Sequence, residues 1–220
     1  GCMKRSLMDK DRPLIEIIEE LTASGTWSVP AGCKSVEVFL VGGGAGGAYG
    51  AGGGGYTITE KVKVDPGDSI QYTIGAGGKY GGMNGKAQNG GISSFGNIQV
   101  SGGFSPQDSS RSNGGSGGSG GAGYTHATGG SDGNSGNDGN SYPGGDGQGT
   151  STRCPFNNKL YSTGGSTGRN ITNPTGNWGD NENTKYRHGA DNTGEGGSGS
   201  GWYGGNGGSG IIILRYKKYE

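Results

Sequence analysis

The sequence predicts a mainly β protein in which the final strand closes the core after one long Gly-rich excursion. The chain has 220 residues, of which 57 are Gly and 7 are Pro, and this Gly content is far above ordinary globular usage. Between residues 105 and 210, Leu, Ile, Val and Phe occur only as Phe156, Leu160 and Ile171, too few for a conventional core. The apolar run at 211–214 follows this stretch. We therefore expect one domain over 25–220, with a β framework at 25–104 and 211–217 and a Gly-rich excursion over 105–210.

The N-terminal segment, residues 1–24, is predicted to contain a short amphipathic helix over Asp11–Leu21. Pro13 lies near its first turn, where proline is tolerated. The apolar side chains follow helical spacing at Leu14, Ile17, Ile18 and Leu21. A strand is the alternative, because the Ile-Glu-Ile-Ile stretch within this segment is also able to pair at the edge of a sheet.

The framework strands are short, rich in β-branched or aromatic residues, and bounded by Gly or Pro. Between the second and third of them, Asp65-Pro66-Gly67-Asp68 has Pro and Gly in the positions that a tight turn requires. The predicted strands are Ser35–Val41, Tyr56–Val64, Ser69–Ile74, Ile92–Phe95, Asn97–Ser101 and Ile211–Tyr216.

Glycine recurs with a period of three in four places. The runs are 44-47-50-53, 114-117-120-123, 130-133-136-139 and 201-204-207-210. This spacing favours left-handed extended helices of three residues per turn, in which Gly opens one face and backbones hydrogen-bond laterally. Collagen is excluded because the phase is not kept between runs and Pro is scarce. The alternative is a flexible linker.

Charge and composition exclude several classes of protein. The chain has 18 Lys and Arg against 18 Asp and Glu, so it lacks the basic field that nucleic-acid binding needs. It contains no uninterrupted apolar run of membrane-spanning length, so membrane insertion is not expected. The three cysteines, Cys2, Cys33 and Cys154, are too few and too scattered for a disulfide scaffold or a zinc site.

No cofactor, metal or catalytic centre is expected. Gly42–Gly47 fits the spacing G-x-G-x-x-G, but it leads into another strand rather than the helix that a dinucleotide site requires. His126 and His188 lie in polar, Gly-rich sequence with nothing spaced to orient them as a general base, so both are read as surface residues. Residues 132–140 contain Asp and Asn in a Gly frame but match no calcium motif, and a polar helix face is the favoured interpretation.

The most informative part of the excursion is its mixture of Gly, Ser, Asn, Asp and Thr with Tyr and Trp. Antibody paratopes use the same mixture, because aromatic rings supply rigid contact area and small polar residues supply adaptable hydrogen bonds. Ser151–Asn192 is the predicted recognition tip, although its aromatics are also able to pack against the Gly bundle from outside. The candidate receptor-binding residues are Tyr161, Asn177, Trp178, Asn183, Tyr186, Arg187, His188 and Trp202.

Several motifs, taken in order, resemble the glycine-rich domain family that is common in bacteriophage tail proteins. The resemblance spans about residues 25–216. It rests on Gly25–Gly32, on Ser35–Val38 with Val41–Gly47, on Asp65–Asp68 with Tyr72–Gly78, on Asn89–Gly96, and on Gly207–Tyr216. It implies a jelly-roll-like β-sandwich from which Gly-rich segments emerge and pack as polyglycine-II helices. A similar arrangement occurs in the extracellular domain of anaplastic lymphoma kinase, so the architecture alone does not dictate a role.

The resemblance also implies a function, because some members of that family are tail-fibre adhesins that bind a receptor on the host surface. We expect a non-enzymatic receptor-binding domain of a phage tail or a prophage-derived surface protein. Its expected partners are a host-surface glycan or outer-membrane protein and other tail-fibre subunits, and its expected location is the virion tail or the bacterial cell surface. The alternatives are a purely structural spacer or cap module and an ice-binding protein.

Overall fold

The protein is a mainly β structure with two antiparallel sheets and a large Gly-rich region. A computed structural model describes residues 12–82, 86–107, 112–124, 127–131, 152–167, 187–199 and 204–220. The first sheet has the strand order β1-β8-β3-β4 and the second has the order β2-β5-β6-β7. The strands are β1 Leu14–Leu21, β2 Gly25–Ser28, β3 Ser35–Val41, β4 Thr57–Lys63, β5 Ser69–Thr73, β6 Ser93–Phe95, β7 Ile98–Val100 and β8 Ile211–Tyr219.

The main hydrophobic core contains residues of both sheets and has Trp27 of β2 at its centre. The Trp27 ring lies 5.2 Å from the ring of Tyr216 and 5.8 Å from that of Phe95, measured between centroids. Alternate residues of the central strands β3 and β8 fill the space around it, as the two-residue period of a strand requires. These are Val36, Val38, Leu40, Ile212 and Leu214, all fully buried.

The N-terminal helix prediction is wrong for the residues that the structure describes. Residues 14–21 form β1, which pairs with β8 in antiparallel register from Leu14 opposite Tyr219 to Leu21 opposite Ile212. The segment is rich in β-branched Ile, and its pairing with β8 buries Leu21 in the core. Tertiary pairing therefore overrides the helical spacing of the apolar side chains. No helix long and apolar enough to cross a membrane occurs among the described residues.

The six predicted framework strands are confirmed to within a few residues, as β3 to β8. The turn at 65–68 is also present, with Gly67 at φ +91° and the Asp68 N–H donating to the Asp65 carbonyl at 3.1 Å. β2 was not predicted as a separate strand. This strand has only four residues, so it offers almost no periodicity to detect.

A second, smaller cluster covers one end of the outer face of the first sheet. Phe39 and Val41 of β3 and Ile211 and Ile213 of β8 point away from the main core and are nearly or fully buried. Residues 154–161 lie over them, and the Tyr161 ring is 5.6 Å from the Phe39 ring. Both faces of the central strands are therefore buried at this end of the sheet, which explains their nearly continuous apolar sequence.

A single carboxylate ties β1 to the aromatic centre of the core. One oxygen of Glu19, Oε2, accepts hydrogen bonds from the Tyr216 hydroxyl at 2.8 Å and from Trp27 Nε1 at 3.2 Å. Both rings are more than nine-tenths buried. Burial and the bond to this carboxylate raise the pKa of Tyr216 above its usual range.

We expect Glu19→Ala to lower the free energy of unfolding by about 1–3 kcal/mol, because two buried donors lose their shared acceptor. Glu19→Gln keeps an acceptor oxygen and should lower it by less. Urea unfolding followed by Trp fluorescence measures both variants. Equal stability of Glu19→Ala and the wild type would contradict the assigned role.

Candidate functional site

The Gly-rich chain leaves the sheets in out-and-back pairs of short segments. The segment after β3 runs outward over 42–48, reverses at 48–50, where the Ala48 N–H donates to the Gly50 carbonyl, and returns over 50–55 to β4. In the other described segments, hydrogen bonds to neighbouring segments show which ones run outward, like 42–48, and which ones run back, like 50–55. The pairs are 42–48 with 50–55, 75–82 with 86–91, 101–107 with 112–118, 119–124 with 127–131, 162–167 with 187–190, and 194–199 with 204–210. Together they are called the bundle.

In each of these pairs the outward segment ends and the return segment begins at the same end of the bundle, called here the distal end. Each such place is called a reversal, whether or not the connecting residues are among those described. The outward segment 75–82 runs parallel to 43–48, with Gly78 bonded to Gly44 and Gly81 to Gly47. Similarly, Gly199 and Gly204 lie beside the reversal at 48–50, since a Cβ on either would contact the carbonyl of Tyr49 or Gly47. The distal end is therefore formed by chain reversals that are far apart in sequence.

The segment 43–48 shows how the bundle is held together. Its N–H groups point to three different neighbours, and every third N–H points to the same one. Its carbonyls accept from three further segments, 75–82, 101–107 and 194–199. The donor pairs are Gly43 to Gly91 and Gly46 to Gln88, Gly44 to Gly208 and Gly47 to Gly205, and Ala45 to Gly53 and Ala48 to Gly50, all between 2.8 and 3.0 Å.

Glycine is required wherever two segments come this close. A Cβ at Gly44 would lie 1.8 Å from the carbonyl oxygen of Glu195, and one at Gly47 would lie 2.1 Å from that of Ser198. The positions one residue further on tolerate a methyl group, since Ala45 and Ala48 are buried there. The Gly residues at every third position, such as Gly44 and Gly47, thus face a neighbouring backbone. The residues that follow them face a space that a small side chain fills.

We expect Gly47→Ala to destabilise the protein by about 1–3 kcal/mol or more, because the new methyl group collides with rigid backbone. The matched control is Ala48→Gly, which removes a buried methyl without a collision and should cost no more than about 1 kcal/mol. Chemical denaturation of the two variants provides the comparison. A Gly47→Ala variant as stable as the control would show that the segments do not pack at this distance.

Side chains continue the lateral hydrogen bonding where the backbone partners run out. The Oδ1 atoms of Asn206, Asn113 and Asn89 accept from the N–H groups of residues 80, 128 and 105 at 2.9 to 3.0 Å. The Asn206 N–H in turn donates to Nδ1 of His188 at 2.8 Å. The Asn-rich composition of the excursion is therefore partly structural, because the amide oxygen replaces a backbone carbonyl.

Tyrosines lie at the reversals of the distal end. The Tyr49 and Tyr124 rings are 5.9 Å apart, although the two residues are far apart in sequence. Tyr80, next to the reversal between 82 and 86, is 41% exposed. Sequence reasoning did not assign these three residues to the site, although each stands at a break in a Gly run, which is a detectable signal.

The structure brings only part of the predicted receptor-binding set to the distal end. Arg187 and His188 lie there, at the start of the return segment 187–190, and both are half-buried. The Arg187 carbonyl accepts from the Ser198 N–H at 3.0 Å and its N–H donates to Ser198 Oγ. Five further candidates lie outside the described residues: Asn177, Trp178, Asn183, Tyr186 and Trp202.

Tyr161 lies at the opposite end of the bundle, in the second hydrophobic cluster. It is 5% exposed, and its hydroxyl accepts a hydrogen bond from Asn157 Nδ2 at 3.0 Å. Burial raises the pKa of Tyr161. Its ring is therefore packed against Phe39 and does not present a surface to a partner in this structure.

We expect Tyr161→Ala to lower the free energy of unfolding by about 3–5 kcal/mol, as the loss of a buried aromatic ring does. Tyr161→Phe keeps the ring and should cost only about 1 kcal/mol, the value of one hydrogen bond. Thermal and urea unfolding test both variants. An unchanged stability of Tyr161→Ala would show that its ring does not hold the second cluster together.

A shallow charged groove lies on the outer face of the first sheet, remote from the distal end. Its lining includes Lys34, Lys61 and the pair formed by Glu37 and Arg215. Arg215 donates to both oxygens of Glu37 at 2.8 and 3.1 Å, which lowers the pKa of that carboxyl. The two charges at the centre of the groove thus satisfy each other, and of the predicted site residues that the structure describes none lines it.

The described residues contain no group of three or more His, Cys, Asp and Glu side chains placed to hold a metal ion. Residues 132–140, which the sequence analysis considered for calcium, lie outside them. Cys33 and Cys154 are buried and unpaired, and burial raises the pKa of both thiols. Buried thiols of this kind are poor nucleophiles.

The protein is a β-sandwich that carries a hydrogen-bonded bundle of Gly-rich segments. The chain belongs to the glycine-rich domain family, which its sequence matches over residues 20–217. The match covers β2 to β7, most of β8 and the whole bundle, but only the last two residues of β1. No curated protein matches the sequence.

Proposed function

We propose that this protein is a non-enzymatic receptor-binding or attachment domain that contacts its partner through the distal end of the bundle. The single observation that carries the proposal is the convergence of chain reversals at that end. Surface loops held by a rigid scaffold are the usual location of binding residues, and here the scaffold is a dense backbone hydrogen-bond network. Such a scaffold fixes the ends of the segments at the distal end before a partner arrives, which lowers the entropic cost of binding.

The bundle segments are, in this proposal, polyglycine-II helices. The support is the threefold direction of the N–H groups of 43–48 and the backbone collisions that any Cβ on the facing Gly residues would produce. A helix of three residues per turn sends successive N–H groups in three directions, about 120° apart. The jelly-roll-like description of the two sheets remains a prediction from the family resemblance.

The proposed partner is a glycan or protein on a host cell surface. Tyr49, Tyr80 and Tyr124 supply aromatic area at the distal end, and Arg187 and His188 supply polar groups. The long connection from Thr167 to Arg187 begins and ends at the same end of the bundle, and its sequence contains Trp178 and Tyr186. Stacking on aromatic rings combined with hydrogen bonds from small polar groups suits both saccharides and protein loops.

The source that fits this function is a phage tail or a prophage-derived surface protein, located on the virion tail or at the bacterial cell surface. Two features support this part of the proposal: membership of the glycine-rich domain family and the resemblance of the ordered motifs to tail proteins. The second candidate function is a structural spacer or cap within a fibre, in contact with other fibre subunits. The dense backbone bonding of the bundle would serve that role equally well, without a receptor.

We expect the labelled, purified chain to bind saturably to a few bacterial strains and to their extracted surface glycans or outer-membrane proteins. Trp178→Ala or Tyr186→Ala should weaken this binding at least about tenfold, since one stacked aromatic contributes roughly 1–3 kcal/mol at an interface. The measurement is a titration against a panel of cells by flow cytometry.

The matched control is Phe104→Ala, which removes an aromatic ring that is 42% exposed on the side of the bundle. This variant should bind like the wild type. Saturable binding that only Phe104→Ala weakens would move the site away from the distal end. Absence of binding by the folded wild-type chain across the panel would favour the spacer or cap.

A further inference from the structure

The outer edge of β1 is an unpaired strand edge in the described part of the chain. β1 is the terminal strand of its sheet, it is eight residues long and it contains neither Pro nor Gly. Its register with β8 is uninterrupted, so no bulge bends it. Long, regular edges of this kind are templates for pairing with another strand, and natural proteins usually interrupt them.

The hydrogen-bond pattern shows which backbone groups point outward. The Glu220 N–H donates to the Pro13 carbonyl at 3.1 Å, so residues 13 and 220 form a hydrogen-bonded pair. Because such pairs alternate along an antiparallel ladder, residues 15, 17 and 19 also bond to β8. The N–H and carbonyl groups of Leu14, Glu16, Ile18 and Glu20 therefore point toward the open edge.

The same four residues place their side chains on the outer face of the sheet, where two of them are large, apolar and exposed. Leu14 is 51% exposed and Ile18 is 48% exposed. The cluster that covers the other end of this face involves residues of β3 and β8 but none of β1. An exposed apolar pair beside an open backbone edge is the combination that strand addition covers.

We infer that the outer edge of β1 pairs with the same edge of a second copy of this chain. The two strands run antiparallel about a twofold axis at Glu16, so that Leu14 of each copy lies opposite Ile18 of the other. Each apolar side chain then gains an apolar neighbour across the interface. The pairing joins two four-stranded sheets into one.

Apolar pairing selects this register over its neighbours. An axis at Ile17 would place Leu14 opposite Glu20 and Ile18 opposite Glu16, so neither apolar side chain would meet another. An axis at Ile18 would place Glu16 opposite Glu20 twice, which is unfavourable for like charges. The axis at Glu16 pairs Leu14 with Ile18 twice and opposes one pair of like charges, the two Glu16 carboxylates. Lys217 lies directly beside Glu16 on β8 in each copy, so two ammonium groups flank the two carboxylates.

The dimer would have a defined shape. β8 begins next to the bundle and β1 runs back toward it, so antiparallel pairing of the two β1 strands sends the bundles in opposite directions. The inference is independent of what the distal end binds, because it concerns only the first sheet. It gives the exposed residues of β1 a role in self-association, which is separate from binding at the distal end.

Sedimentation velocity of the full chain tests the inference. We expect a reversible dimer with a dissociation constant on the order of 100 μM, because a single edge pairing buries little area. Ile18→Lys should raise that constant at least about tenfold, since the substitution occurs twice in the twofold interface. The matched control is Ile92→Lys, since Ile92 is equally exposed, at 52%, but lies outside the first sheet, and this variant should dimerise like the wild type.

Two further variants fix the register. Glu16→Gln removes the facing carboxylates and should lower the dissociation constant, the opposite sign to Ile18→Lys. In a Cys2→Ser background, Glu16→Cys should form a disulfide-linked dimer under mild oxidation, whereas Glu20→Cys should not, because only residue 16 faces its own copy. A chain that stays monomeric up to about 1 mM, or dimers that Ile18→Lys does not weaken, would overturn the inference.

Discussion

The structure depends on satisfying backbone hydrogen-bond groups in a region that has almost no side chains to bury. Ordering each Gly costs more conformational entropy than ordering any other residue, and there is little hydrophobic gain to offset it over the excursion. The N–H and carbonyl groups of segments such as 43–48 instead bond to several neighbours at once. The close approach that this requires is possible only because Gly44 and Gly47 carry no Cβ.

The sandwich and the bundle depend on each other. The chain passes from β3 to β4 through segments 42–48 and 50–55, and β8 enters the sheet directly from segment 204–210. The second hydrophobic cluster joins the two regions further, because residues 154–161 cover the outer face of β3 and β8 beside the bundle. The sandwich fixes where each pair of segments starts, and the lateral bonds fix where it reverses.

Much of the framework could be predicted from the sequence, because β-branched residues alternate with polar ones and Gly or Pro marks the ends of the strands. The prediction of a helix over Asp11–Leu21 was wrong because the spacing of its apolar residues fits both a helix and a strand. Only the pairing with the distant strand β8 decides between the two. The convergence of the reversals could not be predicted. Gly runs carry the period of three but no side chains that specify which run lies beside which, so the neighbours of Gly43 or Gly46 are set by the whole assembly.

The threefold direction of the N–H groups has a consequence for how this sequence can change length. Removing one residue within 42–48 would turn every later N–H in that segment by about 120° and direct it at the wrong neighbour. Removing three residues from both members of a pair keeps the phase. Homologous chains should therefore vary in length in steps of three within the segments.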